Sequence, residues 1–75
     1  MKGENPMKSY SVFEIQTSGD TTAVVTPIPT ETDPVEAEAK FLEKLPYARR
    51  SGLDVHTVML VDNEGNVIAK KTFKQ

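Results

Sequence analysis

Asp33-Pro34-Val35-Glu36 opens the segment whose reading decides the fold, DPVEAEAKFLEKLPYARRSG, residues 33–52. Asp33 can cap a helix, Pro34 suits the first helical position, and Glu36 stands three residues after the cap. A carboxylate cap and an acid near the positive helix end together contribute about 1 kcal/mol. At helical spacing Val35, Ala39, Leu42 and Pro46 share one stripe, with Phe41 and Leu45 on its flank. Glu36, Lys40, Glu43 and Lys44 fall mostly on the opposite side, and Glu36 with Lys40 makes a favourable i,i+4 pair. Pro46 removes one helix hydrogen bond and crowds the preceding turn. Either the helix stops near Leu45, or it kinks and runs on to Ser51. The helix-compatible Tyr47-Ala48-Arg49-Arg50, followed by Gly52 as a C′ residue, favours the second.

On either side of this helix the pattern changes to β. Lys8 to Gln16 is rich in Tyr, Val, Phe and Ile, and Thr21 to Ile28 is a second β-branched run. Thr17-Ser18-Gly19-Asp20 joins them as a turn, with Gly19 supplying a positive φ. Pro27 and Pro29 close the second strand and place its end at a sheet edge. After the helix, Val55 to Val61 and Val67 to Phe73 read as two more strands. The link Asp62-Asn63-Glu64-Gly65-Asn66 reads as a tight hairpin loop with Gly65 in the left-handed position.

The order strand, strand, helix, strand, strand predicts an α+β domain, ββαββ. Its simplest packing is a four-stranded, mostly antiparallel sheet with one helix on one face. Residues 1–7 read as a flexible tail and 8–75 as the single domain. Strand order does not follow from the sequence. If Val61 faces Val67, then Met59 faces Ala69 and Val55 faces Phe73. That register assigns Val55, Thr57, Met59, Val61, Val67, Ala69, Lys71 and Phe73 to the core face. His56, Val58, Leu60, Ile68, Lys70 and Thr72 then face away from it.

Composition bounds what such a domain does. The chain has 75 residues, 37% hydrophobic and 27% charged, with no Cys and no Trp, which excludes disulfides, thiolate metal sites and a Cys nucleophile. No apolar run approaches the ~20 residues of a membrane span, and the N-terminus lacks a secretion-signal core, so a cytoplasmic protein is expected. The formal net charge of −2 argues against a dedicated nucleic-acid binder. The charge is uneven: residues 1–39 sum to −5 and residues 40–75 to +3.

No motif names a reaction. His56 is the sole histidine, and Asp54 two positions away shares its face, a weak constellation that reads as a partly exposed strand histidine. Asp62-Asn63-Glu64 lacks the spaced oxygen ligands of a calcium loop. Gly19 and Gly65 are isolated, so no phosphate-cradling loop is present, and no nucleophile–base pair assembles. No catalytic residue, metal or cofactor is expected, and the chain reads as a non-enzyme.

One helix covers one sheet face, yet apolar residues fall on both. Tyr10 and Val12 alternate against Phe13 and Ile15, Val24 adjoins Val25, and Val58, Leu60 and Ile68 fall outside the assigned core. A leftover apolar face points to an interface, most economically with a second copy and otherwise with another protein. Tyr10, Val12, Val58, Leu60 and Ile68 are the interface candidates, and Leu60→Glu is expected to weaken association without unfolding. The alternative is a small nucleic-acid binder using Arg49, Arg50, Lys70 and Lys71, with Tyr10, Phe13 and Tyr47 available for stacking.

Four short stretches carry a resemblance: Met7-Lys8-Ser9-Tyr10, Thr26-Pro27-Ile28-Pro29-Thr30, Glu36-Ala37-Glu38-Ala39-Lys40 and Val55-His56-Thr57. Through them the chain resembles small uncharacterised proteins encoded in bacteriophages and prophages of Gram-positive bacteria. Pro46 departs from the uninterrupted helix of that group. The resemblance implies a phage-related setting, in the host cytoplasm or the virion, and a native start at Met7 as an alternative to Met1. It implies no activity for any residue.

Overall fold

In a computed structural model the described residues are 8–75, so the tail expected over residues 1–7, and both candidate starts, lie outside them. Strands β1 (Tyr10–Ser18) and β2 (Thr21–Glu31) precede helix α1 (Pro34–Arg50), and β3 (Val55–Asp62) and β4 (Val67–Lys74) follow it. The four strands form one antiparallel sheet in the order β2-β1-β3-β4, with the helix on one face. This is the ββαββ α+β fold expected from the sequence.

Each hairpin has a local cause. Gly19 turns β1 into β2 at φ +59°, and its N–H donates to Asp54 Oδ2 at 2.7 Å, tying that turn to the start of β3. Asp62 closes the β3–β4 turn. Its carboxylate accepts from the N–H groups of Glu64 and Asn66, from Asn66 Nδ2, and from Lys8 Nζ at 3.1 Å. These bonds, the Asn66 side chain first, hold the Asp62 carboxyl well below the ordinary carboxylate range. β2 is an edge strand, as its prolines require, but it continues through Pro27 and Pro29 to Glu31.

The helix begins where its cap predicts. Asp33 sits in extended backbone, and its Oδ1 accepts from the Val35 N–H at 2.9 Å. It runs through Pro46 to Arg50, and Ser51 ends it, with the Ser51 N–H and hydroxyl both reaching the Ala48 carbonyl. Lys40 Nζ meets Glu31 Oε2 at 3.0 Å and fixes the helix to the edge strand. That hydrogen bond raises the lysine above its ordinary pKa.

The buried face of the helix differs from the expected stripe. Ala37, Phe41 and Ala48 are buried, with Leu45 packed against them, while Val35 is 71% and Leu42 53% exposed. Spacing of 4, 4 and 3 residues puts Ala37, Phe41, Leu45 and Ala48 on one face as well as the larger residues would be. The two alanines let the helix backbone approach the sheet, and Phe41 fills the space between them.

The facing of β3 is reversed from the expectation, while Ala69 and Phe73 of β4 lie on the core side as expected. Val12, Val58 and Leu60 form the core under the helix, joined at its rim by Tyr10, Ala69 and Phe73. An irregularity in β4 uncouples its facing from that of β3. Val61 does pair with Val67, but Leu60 then pairs with Ala69 and Met59 with Lys70. One extra β4 residue there moves every later partner by one position. His56, not Val55, thus faces Phe73.

Candidate functional site

Three features of the described residues carry chemistry: the sheet face without a helix, a buried polar chain inside, and a cationic groove beside the helix.

The face opposite the helix is built mainly by β1 and β3. Their register pairs Phe13 with Met59, Ile15 with Thr57, Ser11 with Val61, and Thr17 with Val55. Ile15 pairs with Val24 of β2 on its other side, and Val24 is 67% exposed. Phe13, Ile15, Val55, Met59 and Val61 are half-buried by one another, and no described element lies over them. Thr57 is buried at the centre, its hydroxyl 2.9 Å from that of Thr72. At the β4 margin stand Lys70 and Lys74, opposite Met59 and Val55.

The interface candidates chosen from sequence are therefore corrected. Val12, Val58 and Leu60 belong to the core under the helix, not to the free face. Tyr10 is half-buried against that core, and Ile68 is 51% exposed. Both line a cleft of about 250 Å³ beside Pro34 and Glu38 at the helix N-terminus. Ile15, Phe13, Met59, Val61, Val55 and Val24 lie on the free face in their place. The signal for these residues was present in the alternation of β1 and β3. Only the choice of which set to bury was missed.

His56 is not partly exposed. It is buried on the helix side of β3, directly across from β1. Its Nε2 lies 2.5 Å from Glu14 Oε1, and its Nδ1 lies 3.0 Å from Ser51 Oγ. Glu14 is buried too, and Gln16 Nε2 donates to the same Glu14 oxygen at 3.4 Å. Asp54, the partner suggested by spacing, is engaged with Gly19 instead. Glu14 is separated from His56 by 42 positions, so only the β1–β3 pairing brings them together.

The chain Ser51–His56–Glu14 has the composition of a hydrolytic relay, but its hydroxyl is already employed. Ser51 Oγ donates to the Ala48 carbonyl at 2.9 Å and accepts from the Leu53 N–H at 3.3 Å. Those bonds terminate the helix. The serine has one proton for two acceptors, the Ala48 carbonyl and His56 Nδ1. The structure gives it to the Ala48 carbonyl. Every buried polar side-chain atom described has a partner. Its evident work is to bind the helix C-terminus to the sheet.

Of the four bases in the nucleic-acid alternative, three converge. Arg49, Arg50 and Lys71 rim a groove of about 650 Å³ between α1 and β4, with Leu42, Leu45, Pro46 and Phe73 in its walls. Lys71 Nζ stands 5.9 Å above the Phe73 ring. Lys70 lies on the opposite side of the sheet, because consecutive strand residues alternate. Tyr10 and Phe13 are not in this groove, and Tyr47 lines a neighbouring cleft with Arg50.

Among the described residues no group of three or more His, Cys, Asp or Glu could hold a metal ion. None of the described helices is long and apolar enough to cross a membrane. In comparisons with protein-family models, curated proteins and solved structures, the chain matches none of them.

Proposed function

We propose that this chain is a non-enzymatic protein–protein interaction module that self-associates through the sheet face opposite the helix. The observation that carries the reading is the apolar strip of Phe13, Ile15, Met59 and Val61, over which no described element lies. A second copy is the occupant that fits it best. Strands about 4.8 Å apart and about 26 Å long give a four-stranded face a flat footprint of roughly 500 Å². With side-chain relief this approaches the ~800 Å² per partner of a standard interface. The strip has an apolar centre and a rim of Thr22, Thr72, Lys70 and Lys74, the usual arrangement of an interface. A two-fold axis along the strands lays Lys74 over the Thr22 end of the partner's β2, so the two copies of this lysine do not meet.

Further considerations favour this reading. Only six apolar side chains are buried among the described residues, and small single cores supply few kcal/mol without a staple. Stacked sheets about 10 Å apart provide one, as helix–sheet–sheet–helix. The sequence resemblance to phage-encoded proteins supports a role in phage assembly or in modulating a host protein, in the host cytoplasm or the virion. The serine of the buried polar chain is committed to the helix end, which favours binding over catalysis.

The test uses paired variants in size-exclusion chromatography with light scattering. Ile15→Glu and Met59→Glu are expected to give folded monomers. Leu60→Glu, expected from sequence alone to leave the fold intact, is now expected to unfold it, since Leu60 is buried under the helix. Unchanged mass in both Ile15→Glu and Met59→Glu would overturn the proposal.

A further inference from the structure

We propose that the groove between the C-terminal half of α1 and β4 docks an acidic peptide segment of a partner protein, one that carries apolar anchor residues. The groove lies on the helix side of the sheet, apart from the self-association face, so the two readings stand or fall separately.

The groove combines two recognition chemistries. Its walls are aliphatic and aromatic, from Leu42, Leu45, Pro46 and Phe73, and its rim is cationic, from Arg49, Arg50 and Lys71. No acidic side chain lines it. Lys8 and Lys40 are paired with Asp62 and Glu31, but the groove's Arg49, Arg50 and Lys71 have no carboxylate partner among the described residues. Three of the seven bases of residues 40–75 are thus gathered at one place and left uncompensated.

The apolar wall is equally unspent. Leu42 is 53% exposed in this wall. Pro46 stands in the same wall, inside a helix where it removes a backbone hydrogen bond. A local rule broken without a packing gain is a mark of a working surface. Leucine-type anchors on a short segment would fill the wall, and flanking Glu or Asp would pair with the arginine forks.

This chemistry favours a peptide over a nucleic acid. A polynucleotide extends beyond the groove and meets Glu36, Glu38 and Glu43 on the same helix, and it offers nothing aliphatic to Leu42. A short peptide is confined to the cationic region, within about a Debye length of 8 Å.

The experiment is titration of ¹⁵N-labelled protein, followed by amide shifts. The probes are a synthetic peptide of alternating leucine and glutamate, the same peptide with lysine for glutamate, a polyglutamate of equal length, and oligothymidylate. Shifts confined to residues 42–50 and 70–74, with the leucine–glutamate peptide alone or binding tightest, support the proposal. Arg49→Glu and Leu42→Ser, both exposed substitutions whose unperturbed spectra would report an intact fold, are each expected to weaken that binding about tenfold or more. No shifts with this peptide overturn the proposal. So does equal binding of its lysine counterpart, preference for oligothymidylate, or indifference to both substitutions. Loss of self-association in Ile15→Glu should leave these shifts unchanged.

Discussion

Replacing His56 by leucine should be the most damaging single polar-to-apolar change in the interior. The imidazole is 6% exposed and the Glu14 carboxyl 10%, and they bridge neighbouring strands at 2.5 Å. In His56→Leu, Glu14 keeps only the 3.4 Å bond from Gln16, and Ser51 loses its contact with the sheet. Removing one member of a buried charge-bearing pair costs about 3–5 kcal/mol. A chain of this size has roughly 4–11 kcal/mol in total, so the variant should be near or beyond unfolding. Glu14→Leu leaves the ring nitrogen unpaired and should cost about 1–3 kcal/mol. The double variant replaces the pair by apolar groups beneath the helix, and its loss should be smaller than that of His56→Leu alone. Urea unfolding followed by circular dichroism measures all three, and the cycle should give a coupling above 1 kcal/mol. Additive effects, or a His56→Leu change within 0.5 kcal/mol of zero, would refute the bridging role.

Acid should act on the β3–β4 turn. Because the folded state holds Asp62 well below the ordinary carboxylate range, the unfolded state binds its proton first, and stability rises with pH through that window. Its contribution is complete above about pH 5 and is lost as the pH falls through 4 towards the depressed value. Urea midpoints between pH 2 and 6 should show a shallower acid slope in Asp62→Asn than in the parent; identical slopes would remove Asp62 as a source. Pro46→Ala restores a helical N–H and should stabilise the fold by about 1–3 kcal/mol, read as a higher Tm, while weakening the groove's peptide binding. A lower Tm would show that the proline ring is needed for packing.

Local chemistry made most of the elements legible. Asp33 and Pro34 placed the helix start to the residue, Gly19 and Gly65 placed the two turns, and the β-branched runs placed the four strands. Facing was harder, for two physical reasons. One extra residue in β4 sets Ala69 and Phe73 on the same side as Leu60 and His56 instead of Met59 and Val55, and nothing in Val67-Ile68-Ala69 announces such an irregularity. The helix buries two alanines, which carry little hydrophobic signal, and exposes Val35 and Leu42, which carry much. The core face of β3 begins with His56 and ends with Asp62, so it looked like the outer face. Its polar groups are instead satisfied from a distance, by Glu14 and by the turn. The prediction that apolar side chains exceed the room in one core is met, with Phe13, Ile15 and Met59 in place of Val12, Val58 and Leu60.

The most direct measurement of self-association is sedimentation equilibrium of the full chain over about a hundredfold range of concentration, with helicity recorded on the same samples. The account predicts a mass that rises to twice that of the 75-residue chain, and no rise in Ile15→Glu under the same conditions. A fully helical, folded monomer at every concentration would contradict it.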